Sequence, residues 1–255
     1  MVTFSANLGF LWADLPLPRA ICAAKAAGFD AVECHWPYAT PTTEITAALR
    51  DTGLEMLGLN TPKSAGGIGQ FGLCALPGQE ALARSVVDKS LDFANEIGAR
   101  CLHVMAGIAS GPAAQESFCA ALTYACHQAK QSGVTILIEP LNRYDVPGYF
   151  LSSLAQAEEI ITSVNQSNLK LMFDCYHVGR TEGDVLTQLR ARLPLIGHIQ
   201  FASIPNRQSP DQGSLNYKQI FAAIESLGWS RPLGAEYHPG GATENSLDWM
   251  YTLKP

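Results

Sequence analysis

Three joints in this chain repeat one grammar. "AAGFDAVE", "IGARCLHV" and "SGVTILIE" each run from the end of an amphipathic stretch, through a glycine, into a short apolar run. Glycine suits the left-handed residue that closes a helix, because it lacks the Cβ that opposes positive φ. The apolar run behind it reads as a strand covered on both faces. Parallel strands need crossover connections, and those connections lay helices over the sheet. A chain built from this unit is therefore restricted to a parallel α/β architecture.

The unit recurs along the whole sequence. Strands are expected at Val2–Asn7, Ala31–His35, Leu54–Asn60, Cys101–Ala106, Val134–Glu139, Leu169–Asp174, Leu195–Phe201 and Leu233–Glu236. Helices are expected at Leu17–Ala27, Thr43–Asp51, Gln79–Ile97, Ala114–Gln131, Ser153–Val164, Asp184–Arg192 and Tyr217–Leu227, with a short one near Asn245–Tyr251. Eight such units in 255 residues predict one (β/α)8 TIM barrel, a single domain over residues 1–255. A doubly wound sheet is the rival, but "SANLGF" after the first strand is a poor substitute for the glycine-rich phosphate loop that fold uses. Two loops rich in Gly, Pro and Ser, Thr61–Gly78 and Ala202–Leu215, follow strand ends, where a barrel builds its active site.

Composition narrows the partners. An apolar share of 47% with 16% charged residues describes a globular chain with a large core. A formal net charge of -6 argues against a nucleic-acid surface, which needs clustered Lys and Arg. No apolar run approaches the roughly 20 residues of a membrane span. "MVTFSANLGF" has no basic segment ahead of an apolar core, so cytoplasm is the default expectation. The seven cysteines are scattered and form no CxxC pair, which reads as reduced structural thiols. Trp36, Phe71 and Trp249 are candidates for contacts within a homo-oligomer, with core packing or rim lining as the alternative.

The residues that close the strands carry the chemistry. They are Glu33, His103, Glu139, Asp174, His198 with Gln200, and Glu236. In a barrel these ends converge on one rim. Glu139, Asp174, Gln200 and Glu236 make a hard-oxygen set suited to a divalent cation, Mg²⁺ or Mn²⁺. Without a cation, crowded carboxylates repel and raise one another's pKa. Each acid alone has a plainer reading; Asp174 suits the cap of a helix beginning near Tyr176. Among the histidines, His35 and His127 read as structural or solvent-facing, and His103 as either a barrel-interior side chain or a site residue. His177 can reach a polar substrate, His198 is either a ligand or an inner donor on the face of Gln200, and His238 lies just beyond Glu236.

Longer strings then narrow the family. "FSANLGFLW", "GFDAVECHWPY", "LCALPGQE", "LHVMAG", "LIEPLNRYDVPGYFL", "FDCYHVGRTEGD", "IGHIQFASIPNRQSPDQGSLNY" and "GAEYHPGGATENSLDWM" stand in one order across almost the whole chain. Together they resemble hydroxypyruvate isomerase and the related 2-oxo-tetronate isomerases of the xylose-isomerase-like TIM-barrel superfamily. The resemblance implies a metal-dependent isomerase of a small hydroxy-oxo acid, with Glu139 and Glu236 as the proton-transfer pair. It also implies Glu139, Asp174, Gln200 and Glu236 as metal ligands, and His177 and Arg207 as contacts to substrate oxygens. His103 and His238 are further candidates for substrate contact. Where related chains read "GEINY" and "EYKP", this one has Ser214 in "GSLNY" and His238 in "EYHP", a change expected to alter which substrate tail is accepted. A ketose 3-epimerase shares this geometry, and a non-catalytic sugar-binding barrel is the reading from another class. The DNA-repair branch of the superfamily uses several zinc ions, more histidines and a basic groove, which this chain does not supply.

Overall fold

The computed structural model describes residues 2–63 and 71–254; part of the loop expected at 61–78 therefore lies outside the described residues. Nine parallel strand segments are present among the described residues: β1 (Phe4–Asn7), β2 (Ala31–Glu33), β3 (Glu55–Met56), β4 (Gly58–Asn60), β5 (Cys101–His103), β6 (Thr135–Ile138), β7 (Leu169–Asp174), β8 (Ile196–Phe201) and β9 (Leu233–Ala235). Their order is β3-β2-β1-β9-β8-β7-β6-β5-β4. The two ends of that order are halves of the single strand expected at Leu54–Asn60, interrupted at Leu57. The Leu57 N–H donates to the Val32 carbonyl at 2.7 Å, and the Asn60 N–H to the His35 carbonyl at 2.9 Å. The sheet thus closes on itself through one broken strand, giving the eight-stranded barrel.

The helices are α1 (Leu17–Ala26), α2 (Thr42–Thr52), α3 (Glu80–Ile97), α4 (Pro112–Ala129), α5 (Leu154–Val164), α6 (Cys175–Thr181), α7 (Val185–Arg192), α8 (Tyr217–Ser226) and α9 (Trp249–Thr252). Of these, α1 to α5, α7 and α8 match the expected helices to within two residues at each end, while α6 is the short helix that the cap reading of Asp174 implied. The expected helix near Asn245–Tyr251 is a 3₁₀ turn over Thr243–Ser246 followed by α9. None of these helices is long and apolar enough to cross a membrane. The cysteines are all free, and Cys34, Cys74, Cys101, Cys126 and Cys175 are buried.

Strand alternation places the core. Outward residues such as Phe4, Val32, Leu102, Ile138, Phe173, Ile199 and Phe201 pack under the helices in the main apolar cluster. Trp249, a candidate for a subunit contact, belongs to this core instead: it is fully buried, edge-on to Phe4 and Phe201. Inward residues form a much smaller apolar layer, Cys101, Leu137 and Met172. One alternation further along the same strands stand His103, Glu139 and Asp174. The register pairs Asp174 with Gln200 and Asn7 with Glu33. The barrel is therefore apolar at its base and polar at its C-terminal mouth.

Candidate active site

The mouth gathers charge in a buried place. Glu139 stands just past β6, Asp174 ends β7, Gln200 lies on β8 and Glu236 follows β9; all four are buried. Arg207, on the loop after β8, enters from above. Its Nη2 donates to Glu236 Oε2 at 2.7 Å and to Asp174 Oδ2 at 3.3 Å, while Nε donates to the Glu236 carbonyl. Phe10 and Tyr176 flank the guanidinium, with ring centroids 4.9 and 5.0 Å away. Arg207 holds φ at +52°, a left-handed backbone that a side chain adopts only when its surroundings enforce it. Here the enforcing contacts are its own N–H on Ser203 and the His238 N–H on its carbonyl.

The acids sit in unlike environments. Burial, together with the nearby Glu236 and Asp174 charges, pushes Glu139 well above the usual carboxylate range. Burial also works to raise Glu236, but Arg207 and the hydrogen bond with His35 overcome it and hold the group low. Asp174 is raised by burial despite the opposing pull of Arg207. Its two oxygens divide their work. Oδ1 accepts from the Tyr176 N–H at 2.8 Å, capping α6, while Oδ2 faces Arg207 and the site. Asp174 thus caps α6 through one oxygen and turns the other toward Arg207 and the mouth of the barrel.

Two histidines present opposite faces to the centre. Asn142 donates to His177 Nδ1 from its backbone N–H (3.0 Å) and its side-chain amide (2.8 Å). That amide is oriented by the Tyr144 and Asp145 N–H groups, which donate to its oxygen. His177 Nδ1 is therefore an acceptor, and in the neutral ring Nε2 carries the proton. This N–H lies 3.8 Å from Glu139 Oε1 and 3.7 Å from Asp174 Oδ2. Glu139, Asp174 and His177 are close enough to share a cation, but this tautomer makes His177 a donor and leaves the cation to oxygen ligands. His103 is the converse: with Nδ1 3.2 Å from Asn60 Oδ1, Nε2 is left as an acceptor. Burial lowers the pKa of both rings to about 3.

The strand-closing glutamate on β2 and the first strand complete the frame. Asn7 bridges the two inner acids, donating Nδ2 to Glu33 Oε1 (3.0 Å) and Glu236 Oε1 (3.1 Å), with its own oxygen held by the Gly9 N–H. His35, read from sequence as structural or solvent-facing, instead sits 2.7 Å from Glu236 Oε1 and lines the site. Strand alternation held the signal, because two residues on from Glu33 returns to the inward face. Gly9 admits the ring: a Cβ there would lie 2.2 Å from His35 Nδ1. Asn142 gave no such signal, since its role depends on a loop conformation. His198 pairs with Glu33, so it serves as an inner donor.

Above these groups lies a cavity of about 160 Å³. Glu139, Glu236, His35, His103, His177 and Arg207 supply its polar wall; Phe10, Trp36, Phe71 and Leu141 supply much of the apolar one. It is smaller than the roughly 300–1,000 Å³ of drug-sized ligand sites. His238 does not line it; its ring stands behind Phe10, centroids 4.4 Å apart, and borders a separate polar pocket with Gln208 and Ser209.

The fold and the site together define a parallel α/β barrel with a buried cluster of carboxylates beside a small cavity at its C-terminal mouth. The chain belongs to the xylose isomerase-like TIM-barrel family, whose model matches residues 21–253. It is 38% identical to a 2-oxo-tetronate isomerase of Cupriavidus necator, over 98% of each chain. It is 35% identical to a human protein named "Putative hydroxypyruvate isomerase", over 97% of this chain and 93% of that one. A crystal structure from Brucella melitensis, described as an AP endonuclease of family 2, superposes over the full length of both chains with TM-score 0.95 and 33% identity. A D-allulose 3-epimerase from Methylomonas sp. shares the fold at TM-score 0.81 and 17% identity, over 99% of this chain and 97% of that one.

Proposed function

We propose that this chain, acting as a single domain, is a metal-dependent isomerase that interconverts an α-hydroxy ketone and an α-hydroxy aldehyde in a small hydroxy-oxo acid. The leading pair is hydroxypyruvate and tartronate semialdehyde, with a 2-oxo-tetronate as the longer substrate. The observation that carries this reading is the placement of two buried carboxylates on one small cavity, Glu236 hydrogen-bonded to Arg207 and His35 and Glu139 with its Oε1 without a partner among the described residues. The names of the relatives at 33–38% identity support it.

The donor set fits a hard divalent cation. Glu139 Oε1 and Gln200 Oε1 are buried with no hydrogen-bond partner among the described residues, and two buried acids, Asp174 and Glu236, share one guanidinium. Glu139, Asp174, Gln200 and Glu236 would hold Mg²⁺ or Mn²⁺, which when bound supplies Lewis-acid stabilisation of an enediolate. The protein's own groups do the remaining work. Glu236, kept anionic by Arg207 and His35, removes the proton from the carbon beside the carbonyl. Glu139 delivers a proton to the former carbonyl carbon, and the hydroxyl proton of the first carbon passes to the former carbonyl oxygen. Exchange with solvent returns Glu236 to the anion and Glu139 to the acid. The His177 Nε2–H donates to a substrate oxygen, and His103 Nε2 accepts from a substrate hydroxyl. The apolar wall keeps water off the carbanionic intermediate.

The test is conversion of hydroxypyruvate by protein stripped with EDTA and then given Mn²⁺, run beside a free ketohexose. Activity on hydroxypyruvate that vanishes with EDTA and returns with Mn²⁺ is expected. Epimerisation of the ketohexose with no action on hydroxypyruvate would replace this reading with a 3-epimerase.

A further inference from the structure

Beneath the cavity, Glu33 is a buried carboxylate outside the proton-transfer and ligand sets. It is 3% exposed and accepts three hydrogen bonds: from Asn7 Nδ2, from His198 Nε2 at 2.6 Å, and from Gln200 Nε2 at 2.7 Å. Gly234, its neighbour on β9, makes the room, since a Cβ there would come within 2.7 Å of both Glu33 oxygens. The orientation of this network is fixed from outside it. Asn7 must present its NH₂ to Glu33, because the Gly9 N–H occupies its oxygen.

A carboxylate accepts and does not donate, so only the NH₂ end of Gln200 can face Glu33 Oε1. The amide oxygen is thereby turned the other way. Gln200 Oε1 is buried and has no partner among the described residues, an arrangement that costs stability unless a ligand completes it. Left to itself, a glutamine side chain offers either end to the site. An NH₂ group aimed at a cation repels it, whereas an amide oxygen is a good hard ligand.

We infer that Glu33 is a positioning residue for metal binding: it locks the Gln200 amide with its oxygen toward the site, and so turns an ambivalent side chain into an oxygen ligand. This rests on the reading of Gln200 as a metal ligand. His198 and Asn7 serve Glu33 in turn, holding its two oxygens in place.

The experiment is titration of EDTA-stripped protein with Mn²⁺, read by calorimetry and by the EPR signal of free Mn²⁺, so that it does not depend on turnover. Glu33→Gln keeps the shape but gives position 33 an NH₂ of its own, which favours the reversed Gln200 amide. Its Mn²⁺ affinity is expected to fall by about 10–100-fold, the range for lost outer-shell partners. Gln200→Leu should fall by a similar factor, and adding Glu33→Gln to it should cost little more, because Glu33 acts through Gln200. Glu33→Gln combined with Gln200→Glu should recover affinity to within about threefold of the parent, since a carboxylate has an oxygen on either side and needs no orienting. That pair also keeps a donor facing an acceptor, and so stands in should Glu33→Gln alone fail to fold. Unchanged affinity in Glu33→Gln beside a loss in Gln200→Leu overturns the inference, as does failure of the combined variant to recover. Unchanged affinity in Gln200→Leu would instead overturn the ligand reading on which it rests.

Discussion

Glu236→Gln and Glu139→Gln are each expected to lower kcat by about 10²–10⁴-fold at saturating Mn²⁺, the range that a positioned acid or base contributes. Both side chains are buried on one small cavity, so neither can be replaced by solvent. Glutamine preserves shape and still offers one oxygen, which limits the loss of metal and isolates the loss of proton transfer. The two variants should fail differently. Glu139→Gln leaves the anionic Glu236 in place, so the substrate should still exchange a proton with solvent although product no longer forms. Glu236→Gln should lose both. Steady-state turnover and exchange measured side by side separate these outcomes. Near-normal turnover in both variants would remove the two-glutamate mechanism.

Arg207→Leu is expected to destabilise the metal-free protein by about 3–5 kcal/mol, the cost of removing one partner from a buried ion pair. Arg207 Nη2 is the contact that ties Glu236 to Asp174, and both acids are buried. Without it, three buried carboxylates face one another with no cation between them, and their stabler state is protonated. The sign with pH follows. In the parent protein Glu236 is held below its ordinary value, so its contribution is present above the unfolded pKa near 4.5 and is lost as pH falls below it. In the variant Glu236 moves upward and penalises the fold at neutral pH. The deficit should therefore be largest near pH 7 and shrink as pH falls toward 4.5. Saturating Mn²⁺ should recover part of it at pH 7, because a divalent cation relieves the same repulsion. Urea unfolding at pH 7 and pH 5, with and without Mn²⁺, checks both trends; a deficit indifferent to metal and pH would contradict the electrostatic account.

What the sequence disclosed and what it hid have a physical pattern. Glycines such as Gly53 and Gly98, both left-handed at φ 68° and 69°, punctuate helix ends, and the apolar runs behind them announce strands. The barrel is legible because those signals are local. Its one break, at Leu57, is not, since closure is decided by the partners on either side and leaves no mark in the run itself. Glu139, Asp174, Gln200 and Glu236 are legible for the same reason as the strands: each closes one. His35 was readable from alternation after Glu33, since it ends the strand expected at Ala31–His35, but a single histidine there reads equally well as structural. Asn142 and Arg207 owe their placement to loop conformation, including a left-handed backbone at Arg207, and no periodicity reports that. His238 is placed by its loop as well. It is adjacent in sequence to Glu236, yet two residues are enough to carry it behind Phe10 and out of the cavity.

Proton transfer between adjacent carbons through Glu139 and Glu236 leaves an isotopic signature in the product. The most direct measurement is NMR of the Mn²⁺-loaded protein in D₂O with hydroxypyruvate, observing C2 of the tartronate semialdehyde formed. This carbon is expected to carry deuterium from the first turnovers, and C3 of residual hydroxypyruvate to gain it on reversal. Product whose C2 carries hydrogen taken from C3 of the substrate instead of deuterium from solvent would contradict it, since that hydrogen would have moved directly between carbons.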